Sequence, residues 1–252
     1  MTGHAVAALW RRDVLRFLRQ RSRVIGSLGT PVLFWILLGS GLGQSFQPAG
    51  GSTDAGYLEF FLPGTLALIV LFTAVFSTIS VIEDRQEGFL QGVLVAPVPR
   101  AAIVVAKVSA STSLALAHAA VFLAIAPIAG AAVPWLSLPA AFAVLLVMGV
   151  ALSALGLLIA WPLSSTQGFH AIMNLLLIPM WLLSGAVFPA DGATAWMQAV
   201  MAANPLTYGM TALRAALDGQ LASALPTLGV MAAFGAATLI AATVLVSIPR
   251  EE

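Results

Sequence analysis

The sequence has no cysteine and little charge. Of its 252 residues, 8% are charged and 60% are hydrophobic, whereas a soluble domain usually carries about 25% charged and 45–50% apolar residues. The missing cysteine excludes disulfide frameworks, Fe–S clusters, thiolate zinc sites and thiol nucleophiles. The composition also excludes an ordinary soluble enzyme and a disordered chain, because 11 basic and 10 acidic side chains cannot form a polar shell at this length. A net charge of +1 gives no overall field to attract nucleic acid, so none is expected as a partner.

Long uncharged runs separate the few charges. Six of these runs reach the roughly 20 apolar residues that a membrane-spanning helix needs. They are apolar throughout rather than alternating, which predicts helices and not a transmembrane barrel. We therefore expect an all-α, polytopic integral membrane protein, with 1–252 as a single transmembrane domain. The predicted spans are 24–44, 59–82, 102–129, 139–161, 170–188 and 224–248.

The basic residues predict the orientation of these spans. If the N-terminus is cytoplasmic, ten of the eleven basic residues lie at the inner side and Arg214 is the exception. This distribution follows the positive-inside rule. Both termini are then expected in the cytoplasm, as an even number of spans requires.

The segment before the first span, 1–23, has the pattern of a basic amphipathic helix. Trp10, Val14, Phe17 and Leu18 recur at helical spacing, while arginines occupy the other positions. Such a helix suits the lipid headgroup layer. It could serve only as a positive anchor, or it could also contact a cytoplasmic partner.

The loop between spans two and three, 83–101, contains a second short helical pattern. Charged residues lead it, prolines end it, and apolar side chains form one edge. A helix of this kind can dock into a groove on a soluble protein, or it can fold back on the membrane surface. The candidate contact residues are Glu83, Asp84, Arg85, Glu87, Gly88, Phe89, Leu90, Val93, Leu94, Pro97 and Arg100.

The segment after span five, 189–223, is too polar to span and too apolar for a solvated loop. Asn204-Pro205 marks a helix break within it. Short helices that dip into the outer leaflet would fit, and so would amphipathic helices on its surface. The candidate outer-gate residues are Phe188, Pro189, Asn204, Pro205, Tyr208 and Arg214.

Polar groups within the spans are few. His118 lies near the middle of span three, and Asn174 lies near the start of span five. Either could contact a substrate, although a buried histidine more often joins neighbouring helices. An ion-driven secondary transporter would usually need a carboxylate at the membrane midplane, and an intramembrane enzyme would need a catalytic pair. The span interiors offer neither, so we expect no catalytic residue and no metal site.

Taken together, four segments resemble the ABC type-2 permeases, the membrane subunits of bacterial ABC exporters, and most closely the drug-exporter branch. The first is the basic helix at the N-terminus, and the second is the entry to span two at 57–64. The third is the loop from Glu83 to Arg100. The fourth runs from Phe188 through Asn204-Pro205 to Arg214.

The resemblance implies that ATP hydrolysis and substrate passage belong to different subunits. This chain has no phosphate-binding Gly-x-x-x-x-Gly-Lys motif, so ATP and Mg²⁺ would bind a separate ATPase and this chain would bind no cofactor. Two permease copies, as a homodimer, would pair with two ATPases in the bacterial inner membrane. Residues 83–101 would be the coupling loop, 1–23 the connecting helix beside membrane lipid, and 189–223 the outer re-entrant segment. A mostly apolar interior favours a hydrophobic or amphiphilic substrate.

Overall fold

The computed structural model describes residues 2–41, 57–188 and 192–248, and these ranges contain α-helices and no β-strand. The all-α prediction is therefore confirmed. Single 3₁₀ or π turns extend or join some of the helices. The α-helices are α1 (Thr2–Arg19), α2 (Arg21–Gly41), α3 (Tyr57–Ser77), α4 (Ser80–Gln86), α5 (Phe89–Val95), α6 (Arg100–Ile125), α7 (Leu138–Ala160), α8 (Thr166–Trp181), α9 (Ala195–Ala203), α10 (Pro205–Leu217) and α11 (Leu221–Ser247).

Six helical stretches of the described chain are long and apolar enough to cross a membrane, which confirms the predicted number. The second combines α3 and α4 into one stretch, so the charged residues of α4 continue directly from a span. The stretches are Arg21–Gly39, Leu58–Gln86, Arg100–Ala129, Trp135–Ala160, Thr166–Ala186 and Leu221–Ser247.

The helix ends differ from the sequence-predicted ones where local capping decides them. The fifth span is predicted from residue 170, but α8 begins at Thr166 because the Ser165 hydroxyl caps it by accepting from the Gly168 N–H at 3.1 Å. Its regular part ends at Trp181, before a π turn in which Gly185 has φ of 81°. Residues 42–44 of the predicted first span lie outside the described ranges.

Helix α3 forms the centre of the bundle and is almost wholly buried, whereas α2 and α11 leave most of their surface exposed. Trp35 of α2 is buried, meets Phe122 of α6 edge-on at 5.0 Å between ring centroids, and donates from Nε1 to the Leu58 carbonyl at 3.0 Å. Gly156 of α7 lets α3 approach closely, since a Cβ there would lie 3.0 Å from the Val75 Cα.

A second, smaller core lies at one end of the bundle, called here the α5 end. It joins α5 to the ends of α4, α6, α7 and α11 and therefore fixes the position of this short helix. Its buried members are Val81, Leu90, Val104, Val108, Ala154, Leu157, Trp161, Ala242 and Val246.

Candidate functional site

A glycine turn creates the short helix at the α5 end. The left-handed backbone at Gly88, with φ of 75°, lets the chain turn between α4 and α5. The Gly88 N–H donates to the Arg85 carbonyl at 3.1 Å. Pro97 and Pro99 follow α5, and α6 begins directly afterwards at Arg100. The predicted helix within 83–101 is thus present as α5, which has seven residues.

Asp84 is the centre of a buried network of charges, called here the ion cluster. Its side chain is 1% exposed and accepts from Lys107 Nζ at 2.5 Å, from Arg16 Nη1 at 2.8 Å, and from the guanidinium of Arg12. Lys107 also meets Asp13 at 2.8 Å. The cluster consists of Arg12, Asp13, Arg16, Arg23, Glu83, Asp84, Glu87 and Lys107.

Four positive and four negative side chains make the ion cluster electrically balanced. This balance matters because a buried charge is strongly unfavourable unless it is paired and hydrogen-bonded. Partial burial acts to lower the pKa of Arg12, but its hydrogen bond to Asp84 and the nearby carboxylates outweigh burial and raise it above its ordinary value. The pairs join α1 and the start of α2 to α4 and α6.

Arg85 connects α4 to a different part of the bundle. It donates to the carbonyls of Leu163 and Trp161, at 2.8 and 2.6 Å, in the turn between α7 and α8. Gln86 donates to the Ser164 carbonyl at 2.7 Å. A movement of α4 would therefore pull on both the ion cluster and the α7–α8 turn.

The apolar residues predicted to dock a partner divide into two groups. Leu90 is 3% exposed in the second core, and Leu94 packs against that core. Phe89 lies 3.5 Å beneath the guanidinium of Arg12 and, with Val93, lines a groove. Leu90 and Leu94 therefore hold α5 to the bundle and do not form its outer surface.

The outer surface of α5 is formed by residues that the apolar-edge pattern does not include. Val95 is 88% exposed, and Gln91 and Gly92 are also exposed. Beside this surface lies a groove of about 410 Å³ between α1 and α5. It is lined by Ala5, Ala8, Leu9, Phe89, Gly92, Val93, Ala96 and Val98.

Of the two remaining predicted residues at this end, one contacts the bundle and the other is exposed. Arg100 donates to the carbonyls of Val246 and Ile248, at 3.1 and 3.3 Å, and so caps the end of α11. Pro97 is exposed just after α5.

The opposite end of the bundle is closed by α9 and α10, which are joined by Asn204. The Asn204 amide donates to the carbonyls of Met180 and Leu183, at 2.6 and 3.0 Å, and its oxygen caps α10 by accepting from the Leu206 N–H. Pro205 is the first residue of α10. Tyr208 donates to the Ala202 carbonyl at 2.9 Å.

Arg214 holds α10 against the turn that follows α8. Its guanidinium donates to the carbonyls of Phe60, Gly185 and Ala186 at 3.1–3.4 Å and covers the Phe60 ring at 4.5 Å. Phe188 lies half-buried near this turn. Pro189, predicted with this group, lies outside the described residues.

His118 lies between three helices. Its Nδ1 is 3.0 Å from the Thr73 hydroxyl and 3.3 Å from the Ser27 hydroxyl, and its ring lies 5.7 Å from the Phe17 ring. These contacts join α1, α2, α3 and α6. Asn174 is separate from it, on the exposed face of α8.

The sequence does not single out the ion cluster as a site, because Asp13 lies within an arginine-rich segment and Lys107 has no acidic neighbour in the sequence. The sequence does contain one usable signal. Two segments of opposite charge are predicted on the same side of the membrane by the positive-inside rule. Six arginines precede span one, and Glu83, Asp84 and Glu87 follow span two.

The six spans and the helices packed at both ends define a multi-pass integral membrane protein. The family model of the ABC-2 type transporter matches residues 4–217, from α1 to the end of α10, and the chain belongs to this family. It is therefore a permease subunit of an ABC transporter, and membership of the family implies association with an ABC ATPase.

Several curated relatives are similar over most of the chain. Nodulation protein J of Rhizobium leguminosarum bv. viciae is 29% identical, covering 84% of this chain and 82% of the relative. Nodulation protein J of Neorhizobium galegae is 26% identical, covering 84% and 80%. A shorter match, 28% identical over 60% of this chain and 42% of the relative, is to the Escherichia coli K12 protein named "Probable multidrug ABC transporter permease YbhR".

Proposed function

We propose that this permease exports a hydrophobic or amphiphilic molecule by ATP-driven alternating access, with α5 as the docking element for a separate ATPase. A drug, a lipid, or a glycolipid or polysaccharide would be moved out of the cytoplasm or the inner leaflet. The observation that carries the proposal is the exposed outer surface of α5, fixed to the bundle by Leu90 and Leu94. ATP and Mg²⁺ bind the ATPase in this account, and this chain binds no cofactor.

The contacts of α4 and α5 support a transmitting role. A force on α5 reaches Asp84 through the Gly88 turn, and Asp84 is bonded to α1 and α6. Arg85 carries the same force to the turn before α8. Interfaces with discrete ion pairs can change arrangement as units, so closure of two ATPases would tilt α1, α6 and α8 together. In this account α1 is the connecting helix of the inner leaflet.

An apolar cavity supports the proposed substrate class. It has a volume of about 310 Å³ and lies between α2, α3 and α8, within the size range of small-molecule sites. Its lining has no charged side chain: Gly26, Thr30, Pro31, Phe34, Leu68, Phe72, Ile178, Trp181 and Leu182. The word "multidrug" in the name of the Escherichia coli relative agrees with a hydrophobic cargo.

The arrangement of α9 and α10, at the end of the bundle opposite α5, supports an outer gate. At about 1.5 Å per residue, α9 with 9 residues and α10 with 13 residues are too short to cross a bilayer. In our proposal they re-enter the outer leaflet within 189–223. Arg214 and Asn204 tie them to the end of α8, and breaking these bonds would open the exit.

Asn174 supports a dimer of permeases. It is an exposed amide on α8, surrounded by the exposed side chains of Ile172, Leu175 and Ile178. An amide in hydrocarbon is unfavourable unless it finds a hydrogen-bonding partner, and such partners stabilise helix association in membranes. A second copy of the chain would supply one, giving a homodimer with two ATPases.

Reconstitution tests the proposed function. The permease and its partner ABC ATPase are placed in proteoliposomes, and movement of a fluorescent hydrophobic dye is followed. We expect dye movement that requires ATP and stops with an ATPase variant unable to hydrolyse it. Transport that continues without ATP, or failure of the two proteins to co-purify, would disprove the export mechanism.

A further inference from the structure

The arginines around α1 form two groups with different surroundings. Arg12, Arg16 and Arg23 belong to the ion cluster. Arg11, Arg19 and Arg21 are exposed and make no ion pair with any residue of the described ranges. The second group therefore presents three positive charges to the surroundings of the protein.

Two of the exposed arginines, Arg11 and Arg19, share one side of α1 with apolar side chains, and Arg21 follows at the start of α2. At 3.6 residues per turn, Arg11 and Leu18 lie two turns apart on one face, and Leu15 and Arg19 lie one turn apart beside it. Leu15 is 41% exposed and Leu18 is 51% exposed. The opposite side of α1 carries Asp13 and Phe17, which are buried against the bundle.

In the proposed orientation, this face adjoins the start of the first span at the inner leaflet. Arg21 is the first residue of α2, and Trp10 donates from Nε1 to the Ser113 hydroxyl on span three at 3.1 Å while remaining 37% exposed. Tryptophan and arginine at the end of a span are typical of the membrane interface. Alternation of cationic and bulky apolar side chains matches a lipid surface, whose headgroups are polar and whose interior is apolar.

We propose that Arg11, Arg19 and Arg21 form a binding face for anionic phospholipid headgroups, with Leu15 and Leu18 inserted among the acyl chains. The face is separate from the groove of α5, which Ala5 and Leu9 line. Charge complementarity favours an anionic lipid over a zwitterionic one, because a leaflet with a net negative charge attracts each exposed guanidinium. The proposal rests on the proposed function only in placing α1 at the inner leaflet.

Fluorescence quenching of Trp10 tests the lipid face without any ATPase. The full permease is reconstituted in phosphatidylcholine vesicles to which brominated phosphatidylglycerol or brominated phosphatidylcholine is added. Subtracting the signal of Trp10→Phe isolates Trp10. An arginine near an anionic surface contributes about fivefold to binding, so Arg11→Gln should lower the preference for phosphatidylglycerol by about that factor. The triple variant Arg11→Gln, Arg19→Gln, Arg21→Gln should remove the preference.

A neighbouring residue provides the matched control. Arg12→Gln removes one positive charge from the ion cluster and should keep the lipid preference, whatever its effect on stability. Raising the salt from 0.1 to 0.5 M should weaken the preference of the wild type, because exposed charges are screened. Equal quenching by both lipids in the wild type, a preference retained by the triple variant, or an equal loss in Arg12→Gln would overturn the proposal. None of these results depends on transport, so ATP-dependent export can succeed or fail independently.

Discussion

At the scale of residues, Asp84 is a buried carboxylate at the centre of the ion cluster. It is 0% exposed and bonds to three cationic side chains, from α1 and α6. Removing one member of a buried ion network is worse than lacking the whole network, because the remaining charges lose their compensation. The two acidic neighbours of Asp84 in the ion cluster, Glu83 and Glu87, are more exposed.

Replacement of Asp84 should therefore destabilise the fold. Asp84→Asn leaves the buried Lys107 with only Asp13 as a carboxylate partner, and we expect a loss of about 3–5 kcal/mol. Thermal unfolding of the detergent-purified protein measures it. Glu87→Gln is the control, since its side chain is 56% exposed and exposed ion pairs contribute less than about 1 kcal/mol. Similar unfolding temperatures for both variants would show that the ion cluster does not support the fold.

At the scale of elements, α5 has one side that packs against the bundle and another that is exposed. Leu90 and Leu94 pack inward, while Val95 is 88% exposed. Periodicity predicts the helix from the sequence, but it groups Leu94 with Phe89 and Val93 and omits Val95. Only the packing against Val104, Val108 and Val246 shows which side faces the bundle.

Adjacent substitutions separate these two sides. Val95→Asp should leave the unfolding temperature unchanged and weaken binding of the ATPase, because the Val95 side chain is 88% exposed. Leu94→Asp should lower the unfolding temperature, because a carboxylate is placed against the second core. Co-purification with the ATPase and thermal unfolding distinguish the two effects. If Val95→Asp unfolds the protein, or binds ATPase normally, the assigned outer surface of α5 is wrong.

At the scale of the whole molecule, the predicted orientation can be tested because the chain has no cysteine. Val95→Cys and Leu136→Cys each create a single reactive thiol at exposed positions near opposite ends of the bundle, 88% and 97% exposed in the parent. A maleimide that cannot cross membranes should label Val95→Cys only in inside-out vesicles and Leu136→Cys only in intact cells. The reverse pattern would contradict cytoplasmic termini.

The proposed dimer is a second test at this scale. Asn174→Leu should shift the purified protein toward monomer in native mass spectrometry, because the amide loses its partner across the interface while Leu remains compatible with lipid. Leu175→Ile, at the adjacent exposed position, is the matched control. A dimer of unchanged stability in Asn174→Leu would exclude Asn174 from the interface.

The number of spans is predictable from the sequence. A long uncharged run inside a lipid bilayer must satisfy its own backbone hydrogen bonds, and a helix does so within one segment. The ends of the spans are less predictable, since Ser165 and Gly185 act through local capping and turn geometry. The ion cluster could not be derived from spacing, because Asp13, Asp84 and Lys107 lie far apart in the chain and meet only when α1 and α4 both pack against α6. The available signal for the ion cluster is that the basic segment before span one and the acidic segment after span two are predicted on the same side of the membrane.

Site-specific cross-linking tests the central claim, that α5 is where the ATPase attaches. Val95→Cys carries a photoactivatable cross-linker in membranes that contain the wild-type partner ABC ATPase, and Leu136→Cys serves as the matched control. We expect a permease–ATPase product from Val95→Cys, altered in yield by ATP, and none from Leu136→Cys. No product from Val95→Cys, or equal products from both positions, would contradict the claim.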